Sequence, residues 1–268
     1  MRENIKIDRV GSIRFVGIPG VGVGMYMGMT ETMGFGRLSK EWESEPEVVC
    51  GKEVVPYGVN NNLPVEVRDM MDENNLAPGI LEREKGLLYG QGLELYVKKY
   101  ENGEVTREWV DDKEVWRWMK SWDYLRFVEM AITEYKYLHG YFVKYFPTRG
   151  QRIGRGSRIA RLEVAPGVNA RLGWVDSRKL EDVRQIHVGD FENGCVRGIA
   201  TYPVYDRDDP FRGVVMSYHN SYSYARSLYA IPSFWGSRNW IMRSSDVPQV
   251  LKHITDNSIN VAFHIESP

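Results

Sequence analysis

Apolar residues are spaced as in helices in one part of this chain and as in strands in another. The order of these two parts limits the fold more than any other feature. Apolar residues recur at helical spacing in 113–121 and 124–139. Short alternating runs follow, bounded by Gly, Pro, Asn or Asp, and predict strands at 141–146, 159–164, 171–175, 183–188, 196–202 and 213–218. Helices followed by a run of strands indicate an α+β fold, with a helical layer packed on a mixed or antiparallel sheet.

The helical part opens with turn residues and two short helices between residues 55 and 92. Asn62 is a plausible N-cap, Pro64 fits the first turn, and Asn74 and Asn75 end the first helix. The second helix begins near Pro78 and stops at Gly90, and a strand (93–99) and a hairpin partner (105–110) follow. Its predicted apolar side consists of Ile80, Leu81, Leu87 and Leu88.

The first fifty residues have a different character. Gly20, Gly22 and Gly24 lie in a run rich in glycine and methionine, but no third glycine has the spacing of a dinucleotide-binding loop. We expect residues 1–50 to be a flexible or subunit-clasping arm. The opening residues are charged and do not resemble a signal peptide, and the run 18–29 is too short to span a bilayer.

Two stretches of the sequence resemble the portal proteins of tailed bacteriophages, above all those of phages and prophages of gut Bacteroides-type bacteria. One runs from PYG and NNNLP to LLYGQGL, and the other joins IPSFWGSRNW (231–240) to NVAFHIESP (260–268). The resemblance implies a wing-like α+β domain over 51–230, followed by stem helices and the beginning of a clip over 231–268. Portal proteins continue beyond this point, so it also implies that the chain is the N-terminal portion of one.

The resemblance implies a structural role at one vertex of the capsid. Such proteins form ring homo-oligomers, typically of twelve subunits, through which double-stranded DNA is packaged and ejected. The expected partners are further copies of the chain, the terminase, capsid and head-completion proteins, and the passing DNA. The expected location is the virion, and the host cytoplasm during assembly.

Composition and motifs favour no enzyme class. The formal net charge is −1, the two cysteines are Cys50 and Cys195, and the five histidines show no metal-ligand spacing. No Walker A loop and no G-x-S-x-G nucleophile motif occurs. We therefore expect no catalytic activity, metal, cofactor or membrane partner. The 8 tryptophans and 16 tyrosines favour large packed surfaces or interfaces.

One charge pattern supports an alternative function. Five arginines recur at intervals of three among glycines: Arg149, Arg152, Arg155, Arg158 and Arg161. The guanidinium group suits phosphate oxygens, so this basic loop is a candidate DNA contact. A solvated loop, or one that pairs with acidic residues of a neighbouring subunit, is the other interpretation of the pattern and the one that the glycines favour. The alternative function is a nucleic-acid-binding protein that uses this loop.

Aromatic residues near the end of the chain are candidates for contacts between subunits. They are Tyr222, Tyr224, Tyr229, Phe234, Trp235 and Trp240. For the tyrosines, which lie close to an arginine, a core position or a base-stacking platform are the other interpretations. Two helices are predicted here, 232–242 and 246–257, followed by a strand at 259–265.

Overall fold

The computed structural model describes residues 6–10, 13–18, 21–26, 45–74, 76–90, 92–101, 104–149, 152–153, 159–193, 198–221 and 228–258. The strands are β1 (Lys6–Val10), β2 (Ile13–Ile18), β3 (Val21–Tyr26), β4 (Glu47–Val49), β5 (Lys52–Val54), β6 (Tyr96–Glu101), β7 (Glu104–Trp109), β8 (Gly140–Pro147), β9 (Ile159–Ala165), β10 (Ala170–Leu172), β11 (Gln185–Gly189), β12 (Ile199–Pro203) and β13 (Val215–Asn220). The α-helices are α1 (Leu63–Asp72), α2 (Ala77–Tyr89), α3 (Lys113–Lys120), α4 (Tyr124–Leu138) and α5 (Arg238–Ser258). Four one-turn 3-10 helices lie at Val59–Asn61, Gly167–Asn169, Leu180–Asp182 and Ser233–Ser237.

The chain divides into two compact units, Met1–Leu38 and Ser39–Pro268. The first contains a three-stranded antiparallel sheet in the order β1-β2-β3, with Arg9 paired to Arg14 across the first turn. The sequence of this region predicts an arm and no strand. The glycines of β3 occur at every second position and therefore lie on one face of the strand.

The second unit is an α+β fold, as the order of helices and strands predicted. Its named strands pair antiparallel, in the orders β13-β8-β9 and β10-β11-β12, with two further hairpins, β4-β5 and β6-β7. The end of β5 joins the second of these sheets, because Val54 bridges Gly173 and Val55 N–H donates to the carbonyl of Leu172 at 2.8 Å.

The helices form a layer beside these sheets. α4 contacts β8 and β9 on one side and α2 on the other. Met70 and Met71 of α1 pack with Leu81 of α2, and Phe234 and Ile241 cover this cluster. The apolar side predicted for α2 is wrong for Ile80, Leu87 and Leu88, which are exposed in this chain while Leu81 alone of the four is buried.

Three local predictions are corrected by the backbone. Asn62 occupies the N-cap of α1 but its side chain makes no capping bond. The left-handed residue that ends α4 is His139, at φ 54°, and not Gly140, which already belongs to β8. The two predicted helices near the end are one, since α5 continues through Pro248. The strand predicted at 259–265 lies outside the described residues.

Candidate functional site

The described arginines of the basic loop differ in their surroundings. Arg149 and Arg152 are exposed, whereas Arg155 and Arg158 lie outside the described residues. Arg161 lies on β9, where its guanidinium group stacks 4.3 Å from the ring centre of Phe146 and lies 3.8 Å from the carboxylate of Glu163. Of the five, Arg149 and Arg152 therefore remain the described candidates for contact with an external anion.

A backbone bridge anchors the middle of the basic loop. Ile153 is buried and exchanges two backbone hydrogen bonds with Phe211, at 2.8 and 3.0 Å. Arg152 thus directly precedes a fixed point of the backbone.

The aromatic candidates for subunit contacts also separate into groups. Tyr229 is buried, and its ring stacks on Tyr57 with the centres 3.8 Å apart. Its hydroxyl accepts a hydrogen bond from Leu172 N–H at 2.7 Å and donates one to the carbonyl of Val55 at 3.1 Å. The core interpretation is therefore the correct one for Tyr229, and its side chain is not available to a neighbour. Tyr222 and Tyr224 lie outside the described residues.

The three aromatic residues near α5 range from buried to exposed. Trp235 is buried beneath the guanidinium group of Arg238, at 4.8 Å. Phe234 is half-buried against the cluster formed by α1 and α2. Trp240 is 80 % exposed. Trp240 is thus the one of the three whose large apolar surface remains open in this chain.

Trp240 belongs to an exposed apolar stripe on α5. Val247 and Leu251 follow it at seven and eleven residues, spacings that place them on the same face of a helix. From Asp246 onward, every α5 side chain that the structure describes is exposed. Earlier in the helix, Asn74 binds α5 to α1, since its amide donates to the carbonyl of Ile241 and to the hydroxyl of Ser244, both at 2.6 Å.

A buried cation lies at the centre of the second unit, and sequence reasoning missed it. Arg171 is 1 % exposed. Its guanidinium group donates to the side chain and carbonyl of Asn61 and to three carbonyls, those of Gly167, Val168 and Ala170. The ring of Phe191 lies 4.7 Å from it. Burial lowers the pKa of Arg171. An arginine in a strand of alternating polar and apolar residues does not indicate that its side chain will be buried.

Another group missed from sequence is a hydrogen-bonded triangle on β8 and β13. Ser217 Oγ lies 2.7 Å from His219 Nε2 and 2.9 Å from the hydroxyl of Tyr145, and Tyr145 lies 3.2 Å from the same nitrogen. Burial lowers the pKa of His219, which favours the neutral imidazole. None of the described carboxylates hydrogen-bonds to His219, so the triangle lacks the third group that orients the base in a nucleophilic triad.

Two of the clefts in the described part of the chain lie at the edges of the sheets and helices. The larger, of about 670 Å³, separates α2 from α4 and is crossed by Lys85, whose ammonium group lies 2.9 Å from Glu82 and 3.6 Å from Glu129. The smaller, of about 410 Å³, is lined by Lys52, Arg184 and His187 among others. Its charged side chains form no ion pair with a described residue, whereas Lys85 in the larger cleft is paired with Glu82 and Glu129.

Within the described ranges, no group of three or more His, Cys, Asp and Glu side chains is placed to hold a metal ion. No helix in the described part of the chain is long and apolar enough to span a bilayer. Comparison with models of protein families and with curated proteins finds no match to this chain.

Proposed function

We propose that this chain is the wing and stem portion of a tailed-phage portal protein. In this role, copies of the chain form a ring at one capsid vertex through head-to-tail contacts that close on themselves. The terminase and the capsid and head-completion proteins bind this ring, and double-stranded DNA passes through it. The role is mechanical and needs no catalytic residue, cofactor or membrane.

The observation that carries the proposal is the exposed apolar stripe of α5. Trp240, Val247 and Leu251 present an apolar face that the described residues leave uncovered. Exposed apolar surface of this kind marks a protein contact, and tryptophan is enriched where contacts are strongest. The stripe begins at Trp240, the last residue of IPSFWGSRNW, where the resemblance to portal proteins expects the stem, which neighbouring subunits cover.

The near-neutral charge also agrees with this function. A ring that DNA must slide through cannot hold the polyanion by many strong cationic contacts, because each contact releases counterions and adds affinity. With a formal net charge of −1, the chain has no excess of cations that would hold the DNA in place.

The test is the mass of the chain in solution, measured by light scattering coupled to gel filtration. We expect assemblies at ring-sized multiples of the 31.0 kDa subunit. Replacing Trp240 and Leu251 by serine removes two of the three apolar side chains of the stripe and is expected to give monomers. Met242→Ser is the matched control, because Met242 is exposed on the opposite side of the same helix. A strict monomer at all concentrations, or assembly that is insensitive to the double variant, contradicts the proposal.

Arg149 and Arg152 support the second candidate function, nucleic-acid binding. Both are exposed and make no ion pair with a described residue. Replacing both by alanine is then expected to weaken DNA binding equally for all sequences, and to reduce the log–log salt slope by about one unit per lost contact. Arg207→Ala, at another exposed arginine, is the control. Unchanged DNA binding in the double variant rejects this function for the loop.

A further inference from the structure

The cleft beside β5 has an open cationic lining. Lys52, on β5, and Arg184, just before β11, both border it. Both side chains are exposed at its rim, and neither forms an ion pair with a described residue. Glu53 is the single carboxylate among the described lining residues. The charged side chains that line the cleft, Lys52, Arg184 and Glu53, therefore carry a net charge of one positive unit.

A buried cation belongs to the same sheet as His187. Arg171 is directly opposite His187 in the register of β10 and β11. Among its hydrogen-bond partners are backbone carbonyls and the Asn61 amide, and no carboxylate, so its charge is not cancelled by an ion pair. An uncompensated cation in a low-dielectric interior adds to the positive potential of a nearby cleft.

A histidine lies on the floor of the cleft with one ring nitrogen unused. His187 is only 3 % exposed, and its Nδ1 lies 3.0 Å from the hydroxyl of Thr201. Its Nε2 makes no hydrogen bond to a described residue. This nitrogen belongs to a residue that lines the cleft, where a ligand can reach it.

Position 173 keeps this nitrogen uncovered. A Cβ atom on Gly173 would lie 3.3 Å from His187 Nε2 and 3.0 Å from the carbonyl oxygen of Gln185. Any side chain at this position would therefore cover the edge of the imidazole. Glycine instead leaves space above it that a small ligand group can occupy.

An aromatic wall completes the cleft. Trp174 lines it and is half-buried, and its indole N–H donates to the carboxylate of Asp176 at 3.0 Å, which fixes the orientation of the ring. Bases stack on such rings whatever their identity, and Arg and Lys bind phosphate oxygens. The cleft volume of about 410 Å³ lies in the range of small-ligand sites.

We propose that this cleft binds a nucleotide, with its phosphate between Lys52, Arg184 and His187 Nε2 and its base against Trp174. The nucleotide is either free or part of a single strand, because both present the same phosphate and base. This site is separate from the α5 stripe and does not depend on the proposed function.

The test is calorimetric titration of the full chain with thymidine monophosphate, thymidine, and a single-stranded oligomer of ten thymidines. We expect the monophosphate to bind at least tenfold more tightly than thymidine, because thymidine lacks the phosphate. Tighter binding of the oligomer than of the monophosphate assigns the site to a strand, and equal binding assigns it to a free nucleotide.

Variants place the binding in the cleft. Lys52→Gln and Arg184→Gln change exposed side chains and are each expected to weaken monophosphate binding about tenfold, as is Trp174→Leu. Lys179→Gln, at an exposed lysine paired with Glu181 at 3.9 Å, is the matched control and is expected to leave binding unchanged. Absence of binding, or binding that Lys52→Gln and Arg184→Gln leave intact, overturns the proposal. Equal unfolding midpoints of all variants exclude misfolding as the cause of any loss.

Discussion

At the scale of single residues, the hydroxyl of Tyr229 connects parts of the core that are remote in sequence. It bonds to Leu172 and to Val55, and its ring stacks on Tyr57. Tyr229→Phe keeps the ring but leaves a buried N–H and a buried carbonyl without this partner. We expect a loss of about 1–3 kcal/mol in the free energy of unfolding, measured by urea denaturation.

Tyr89→Phe is the control for this change, because the hydroxyl of Tyr89 makes no hydrogen bond with the described residues. It is expected to alter the free energy of unfolding by less than about 0.5 kcal/mol. If Tyr229→Phe and Tyr89→Phe changed the free energy of unfolding equally, the hydrogen bonds of the Tyr229 hydroxyl would contribute nothing measurable to stability.

Glu134 gives the fold a specific dependence on pH. Burial raises the pKa of this carboxyl group to about 7, although the N–H of Gly167, which donates to it at 2.9 Å, favours the charged form. The unfolded chain loses this proton near pH 4.5, whereas the folded chain retains it until about pH 7. Through this group, the free energy of unfolding therefore falls as the pH rises from about 4.5 to 7.

Glu134→Gln removes this contribution while retaining an oxygen that accepts from Gly167. We expect the variant to gain about 1–3 kcal/mol relative to the native chain between pH 4 and pH 8. Urea denaturation at both pH values measures it, and Glu73→Gln, at an exposed carboxylate, is the control. If the difference in the free energy of unfolding between the variant and the native chain stayed constant from pH 4 to pH 8, the raised pKa of Glu134 would be refuted.

The sequence predicted exposed or capping polar residues more easily than buried ones. Asp112 and Asp123 cap α3 and α4 through bonds to backbone N–H groups two or three residues ahead, so such caps depend only on neighbours in the chain. Arg171 and His187 are buried through contacts with residues far away in sequence, and a strand pattern contains no information about such partners. For the same reason, the sequence left an interface and a core position both open for Tyr229, which is buried in the core.

At the scale of elements, α5 is expected to depend on its neighbours for protection. Its first turns are bonded to Asn74, whereas the described side chains from Asp246 onward are exposed. Amide exchange should therefore be fast beyond residue 244 in a monomer and markedly slower in an assembled ring.

The amides of α4 provide the internal reference for this measurement. α4 packs on β8 and β9 within the chain, so its protection should not depend on assembly. Strong protection of residues 246–258 in a strict monomer would show that the helix is stable without partners, and would remove the main support for the stem assignment.

The elements themselves followed from periodicity wherever a local signal was clear. Helices α3 and α4 begin at the predicted residues and end within one residue of the predicted position, and the hairpin of β6 and β7 was anticipated from its turn. The break expected before Asp246 does not occur, because α5 accommodates Pro248 inside the helix. The strands of residues 6–26 were missed since their glycines resemble a linker.

At the scale of the whole molecule, the two compact units predict separable stability. Removing residues 1–38 is expected to leave the thermal unfolding midpoint of residues 39–268 within about 2 °C of its value in the full chain. Calorimetry of both forms measures this. A decrease of more than about 5 °C would show that the first unit supports the fold of the second.

The contacts of Tyr229 also determine when the core of the second unit can form during synthesis. Tyr229 lies 174 residues after Val55 and 57 after Leu172, so both earlier segments leave the ribosome long before their partner is translated. Until then, neither the buried N–H of Leu172 nor the ring of Tyr57 has this partner. Domains complete their folding only once such distant contacts are available. The core of this unit therefore closes only after residue 229 has emerged, later than the sheets that it joins.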